Sequence, residues 1–183
     1  MASPIQRISS DKKLISAAVF VAKVLGAYLL WKILLFFFTQ PGTGMNRWWI
    51  AFADWFAYKT IQPAAHILKL LGYSLVYNHR NIIISNTQGM FLADHCLGIS
   101  VCVIFMVFIA AYKGKWQHKL WYIPLGLFCI YAINVIRLVG LGIVQVCCAD
   151  YFFELAHTRI YLLMSYGMFF LLIVLWMNRL ARK

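Results

Sequence analysis

Apolar residues in this chain are gathered into blocks long enough to cross a bilayer, and basic residues stand at the ends of those blocks. This arrangement constrains the fold more than any motif does. Backbone exposed to lipid must satisfy its own polar groups, so such blocks read as helices. Four blocks qualify, at 14–38, 96–112, 120–148 and 160–177. The composition agrees: 63% of the 183 residues are hydrophobic and 12% are charged, against about a quarter charged in a soluble domain. No small-residue cleavage site follows the first block, so it is expected to be a retained span and not a signal peptide. The expected fold class is an all-α integral membrane bundle of about four transmembrane helices, forming a single membrane domain over 1–183.

The blocks are not uniform. Lys23 and Lys32 interrupt the first, each close enough to one end to snorkel outward. The third would be roughly 42 Å long as a helix, more than the roughly 30 Å hydrocarbon layer, so it must tilt or protrude. Pro124 is a place for it to bend.

Segment 43–95 has a different character. "MNRWWIAFADWFAYKTIQPAAHILKLLGYSL" mixes Trp, Phe and Tyr with Arg47, Asp54, Lys59 and Lys69. That mixture suits an interfacial helix better than a crossing one, and Pro63 is expected to divide it. The runs on either side of "NHRN" are β-branched and aromatic, which predicts a short strand pair just before Cys96.

Basic residues set the orientation. Lys113, Lys115 and Lys119 mark the loop between the second and third blocks as cytoplasmic. Counting spans from that loop puts both termini inside, and both are basic: Arg7, Lys12 and Lys13, then Arg179, Arg182 and Lys183. Four of the five acids, Asp54, Asp94, Asp150 and Glu154, then lie outside. The net charge of +12 is thus explained by topology and anionic lipid headgroups, and no nucleic-acid motif accompanies it. A fifth crossing at 46–72 would place the termini on opposite sides, against the charge pattern.

With this topology, polar residues from three spans converge near the outer face. Cys96 opens the second span and His157 precedes the fourth. Arg137 lies about 25 Å up the third, and Asn134, Arg137, Leu141 and Gln145 share one helix face. A polar stripe on a span normally faces the protein interior. A thiolate is a nucleophile whose pKa a nearby cation lowers. Arg, always charged, can hold an oxyanion, and His can activate the thiol and protonate a leaving amine. These are the roles of a cysteine peptidase or acyltransferase.

"ADHCLGIS" (93–100), "NVIR" (134–137) and a His ahead of the last span resemble the exosortase/archaeosortase family. The resemblance runs from about Ile61 to Met177. It implies a prokaryotic inner-membrane cysteine enzyme, both termini cytoplasmic, its active site at the outer face. It implies Cys96 as nucleophile, Arg137 as stabiliser of the oxyanion or intermediate, and His157 as acid/base. Asn134 matches the Asn of the family's Asn-x-x-Arg, and Gly98 keeps the family's glycine, with Leu97 where Ser is common. The implied partners are secreted proteins with a C-terminal sorting signal and transmembrane tail, together with membrane lipids. No cofactor, metal or nucleic acid is implied.

Other assignments stay open at this level. His95 adjoins Cys96 and could replace His157 as base, although neighbours on a helix point about 100° apart. Glu154, one turn before His157, could fix its tautomer. Asp94 reads as a helix cap. Cys102 and Cys129 read as packing residues. Two other functions remain: a non-enzymatic carrier or subunit binding an anionic lipid or solute at Arg137, and a thiol redox protein pairing Cys96 with Cys147 or Cys148.

Overall fold

The computed structural model describes residues 4–85, 87–147, 159 and 161–180. Helix dominates, as the apolar blocks require. Helix α1 spans Pro4–Thr39, and its stretch Ala18–Thr39 is long and apolar enough to cross a membrane. Leu25, Leu29, Ile33 and Phe36 are all exposed along it. So continuous an apolar surface suits lipid and not water. Lys32 lies over the Tyr28 ring, 5.8 Å from its centroid. The chain then turns through Gly42, whose φ is 85°. Thr43 caps the next helix, its hydroxyl accepting from the Asn46 N–H at 3.1 Å.

Helix α2, Gly44–Leu70, has two opposed faces. Ala53, Ala57, Ile61, Ala64, Ala65 and Leu68 form one fully buried stripe at helical spacing. Trp48 and Trp55 are exposed on the other, where Trp48 stacks on Phe52 with ring centroids 5.6 Å apart. Pro63 does not divide this helix, contrary to the expectation from sequence. A proline cannot donate to the carbonyl four residues back. Here that carbonyl, of Lys59, instead accepts a hydrogen bond from the Tyr131 hydroxyl at 2.6 Å. A neighbouring element supplies the donor that Pro63 lacks.

A small antiparallel sheet follows, of β1 (Leu75–Tyr77), β2 (Asn81–Ile84) and β3 (Met90–Phe91), in that spatial order. The expected strand pair is β1 and β2, with Tyr77 opposite Ile82. The third strand is too short for alternation to reveal. A 3-10 turn, Asp94–Leu97, leads through left-handed Gly98 into α3, Ile99–Ala111. The second apolar helix therefore begins after Cys96 and not at it. Its last turn is closed by Lys119, buried to 6% exposure, whose Nζ donates to the carbonyls of Ala110 at 2.8 Å and Tyr112 at 2.6 Å.

Helix α4, Trp116–Cys147, is the axis of the molecule and the second helix able to cross a membrane. Helix α5, Tyr161–Leu175, continues into a π-helical turn, Trp176–Leu180. As helices, α3 and α5 are about 20 Å and 22 Å long, short of a full hydrocarbon layer. Both pack on α4.

Two cores stack along α4. Towards its N-terminal half lie Phe105, Ile109, Tyr122, Ile130, Leu172 and Trp176, from α3, α4, α5 and the π turn. The Phe105 ring occupies the place a Cβ on Gly126 would take. Towards its C-terminal half, Val135 and Leu138 meet the small-residue stripe of α2, the sheet, and Cys96 with Leu97. There a Cβ on Gly142 would come within 2.9 Å of Leu68. The fold is that of an all-α membrane protein with a small three-stranded sheet.

Candidate active site

The segment carrying Cys96 is held from three directions. Beneath it, the Asn134 side chain donates to the Leu97 carbonyl at 3.3 Å. Gly98 follows with φ 74°, and a Cβ there would overlap the Asn134 amide. Only glycine suits both that backbone and that contact. Within the turn, the Cys96 N–H donates to the Ala93 carbonyl at 2.9 Å. From the side, Asp94 accepts from the Trp49 indole N–H at 3.2 Å and pairs with Arg80.

Arg80 also pairs with Asp54 on α2. One planar guanidinium thus ties helix α2, the β1–β2 turn and the 3-10 turn together. Partial burial works against its charge, but the hydrogen bonds it donates to Asp94 and Asp54 outweigh that and hold its pKa above the ordinary value. Asp94 is not the cap expected of it: Gly98 occupies the N-cap position of α3, without a side-chain cap. Asp94 is instead a strut to α2 and the sheet.

Arg137 lies on α4, one turn beyond Asn134. It lines two cavities. One, of about 180 Å³, is bounded by Gly89, Met90, Phe91, Leu92, Cys96, Arg137, Leu138 and Leu141. The other, of about 70 Å³, is bounded by Gly98, Asn134, Arg137 and, on α5, Ser165 and Tyr166. Arg137 Nε is buried and has no hydrogen-bond partner among the described residues, and the same holds for Ser165 Oγ. A buried donor without an acceptor is costly. It is spared that cost when a ligand oxygen arrives.

The structure therefore brings Cys96, Gly98, Asn134 and Arg137 into one region, with Cys96 and Arg137 facing the same cavity. His157 and Glu154 lie outside the described residues. His95 sits in the 3-10 turn beside Cys96, and its side chain is not among those described. No cluster among the described residues has the ligands to hold a metal ion.

Sequence reading passed over Arg80, Asp54, Trp49 and Ser165. Trp49 and Asp54 share one helix far in the chain from Arg80, and all three look like ordinary interfacial residues. Ser165 carried a faint signal, as a small polar residue inside an otherwise apolar helix.

Compared with known proteins, residues 12–178 match the family model described as transmembrane exosortase (Exosortase_EpsH). No curated protein and no solved structure matches the chain.

Proposed function

The chain belongs to the transmembrane exosortase family, and from that premise we propose that it is a membrane cysteine peptidase or transpeptidase with Cys96, Arg137 and His157 as its catalytic residues. Its substrates are secreted proteins that end in a sorting signal, an apolar span and a basic tail. One observation carries the reading: Cys96 and Arg137 line one cavity, and the Arg137 Nε donor is buried and unpartnered among the described residues.

The reaction follows from the groups. His157 takes the Cys96 thiol proton, and Sγ attacks the scissile carbonyl carbon. The carbonyl oxygen becomes an oxyanion, held by Arg137. The C–N bond breaks as His157 returns the proton to the leaving amine. A thioester on Cys96 remains, and water or an acceptor amine releases the product and restores the thiol. Asn134 and Gly98 position the nucleophile from below. His157 lies in the sequence shortly before Tyr161, where the helix that brings Ser165 and Tyr166 to Arg137 begins, which supports its assignment over His95. Glu154 would orient that imidazole. The site faces the outer side of a prokaryotic inner membrane, with four spans and both termini cytoplasmic.

The test uses the native host. Secreted proteins with an apolar C-terminal span and basic tail are compared by intact mass in wild-type and Cys96→Ala cells. Tail loss should occur in wild type and disappear in Cys96→Ala, at equal membrane levels of the two proteins. Continued tail loss in Cys96→Ala would sink the enzyme reading and favour a carrier that binds an anion at Arg137.

A further inference from the structure

We propose that the outer edge of β3 is the peptide-binding strand of this site, and that an extended substrate segment pairs with Phe91 on its way to Cys96. The proposal rests on the cysteine-enzyme reading above and names how that site holds its substrate.

The register of the sheet fixes which backbone groups are free. Ile82 stands opposite Met90, and the Leu92 N–H donates to the Arg80 carbonyl at 2.8 Å. Met90 and Leu92 therefore turn their polar groups towards β2, and Phe91 turns its N–H and C=O the other way. Strand β3 is last in the sheet, so among the described residues that outward side has no strand beside it. Neither outward group of Phe91 hydrogen bonds to another described residue. Exposed strand edges normally carry a charge, a proline or a cover, because they recruit other chains. Met90 and Phe91 are neither charged nor proline.

What lies beside the edge is the catalytic cavity. The same 180 Å³ space is bounded by Gly89, Phe91 and Leu92 on the sheet side, by Leu138 and Leu141 on α4, and by Cys96 with Arg137. The far end of the edge is already read by a side chain, as Gln145 on α4 donates to the Gly89 carbonyl at 3.0 Å. The Gln145 Oε1 atom is buried and has no partner among the described residues, so it offers an acceptor for a further peptide N–H. A peptide entering between β3 and α4 would exchange two hydrogen bonds with Phe91 and find Gln145 at one end. Its next carbonyl would then meet Cys96 and Arg137. Main-chain pairing of this kind supplies affinity independently of sequence, while α4 supplies the wall that reads side chains.

The test uses full-length protein in which Cys96 is the sole cysteine. Three alkylating probes are compared: iodoacetamide, tetra-alanyl chloromethyl ketone, and the same ketone with its backbone amides N-methylated. The quantity read is the ketone rate divided by the iodoacetamide rate within one protein. N-methylation should lower this ratio about fivefold or more in the wild-type background, the worth of about one hydrogen bond. Phe91→Pro, which removes an N–H that the β2 ladder does not use, should lower the ratio for the unmethylated ketone to the same extent. Equal ratios for the two ketones, with fast iodoacetamide reaction, would overturn the edge proposal and leave the nucleophile standing. No iodoacetamide reaction at Cys96 would overturn the nucleophile and the edge with it. If Phe91→Pro fails to fold, the comparison of the two ketones on the unsubstituted strand decides alone.

Discussion

Arg137 shows how much one residue type decides. Its neighbours Asn134 and Leu138 are buried, and its Nε is buried with no hydrogen-bond partner among the described residues. Lysine would keep the charge but lose the planar fork and place its ammonium on a different stem. Removing one oxyanion donor typically slows catalysis about 100–1000-fold. Arg137→Lys is therefore expected to process substrate at least about tenfold more slowly at normal membrane levels, measured as the rate of tail loss after a pulse label. Near-normal turnover would make Arg137 structural. At this scale the sequence spoke clearly for Cys96, Arg137 and Asn134, because each is a chemically distinct residue in an apolar setting. It was silent about Arg80 and Asp54, whose meaning lies in the ion pair they make across 26 positions of chain and in the second pair that Arg80 makes with Asp94.

Among the elements, α2 is the one most dependent on its neighbour. Its continuity through Pro63 uses a hydroxyl from α4, and its small residues let it lie close against Gly142. Tyr131→Phe should leave the Lys59 carbonyl without that donor and cost about 1 kcal/mol. In a Pro63→Ala background residue 63 regains its N–H, and that N–H can bond the same carbonyl. The loss from Tyr131→Phe should then shrink to a few tenths of a kcal/mol, a coupling that a double-mutant cycle of unfolding in detergent would read. Additive losses would mean that Tyr131 does not compensate for Pro63. The aromatic, partly charged composition of α2 had suggested an interfacial helix. Its contacts with Tyr131, Gly142 and the 3-10 turn put it against the C-terminal half of α4.

For the whole molecule the governing pattern is charge at the ends of apolar helices. The proposed four-span topology predicts that His79→Cys is labelled by an impermeant maleimide added outside the cell, whereas Lys115→Cys is labelled only after the membrane is opened. Both are made in a protein lacking its native cysteines. Outside labelling at 115, or none at 79, would overturn the orientation. Two cores stack along α4. The one built from α3, α4, α5 and the π turn has no residue from the sheet, and the one holding Cys96 is built largely from segments outside the two long apolar helices.

Block length and block boundaries were enough to establish a helical membrane protein, since hydrocarbon leaves a backbone few other ways to satisfy its polar groups. The same reading singled out Cys96 and Arg137, which are conspicuous where they stand and which line one cavity. Tertiary structure alone decided how Cys96 is held. The Asn134–Leu97 bond, the overlap that excludes a side chain at Gly98, and the grip of Arg80 on Asp54 and Asp94 all join segments that the chain keeps apart. Strand β3 belongs to the same class. Two residues carry no period of their own, and they become a strand edge facing a cysteine only because β2 pairs with them on one side and α4 leaves a cavity on the other.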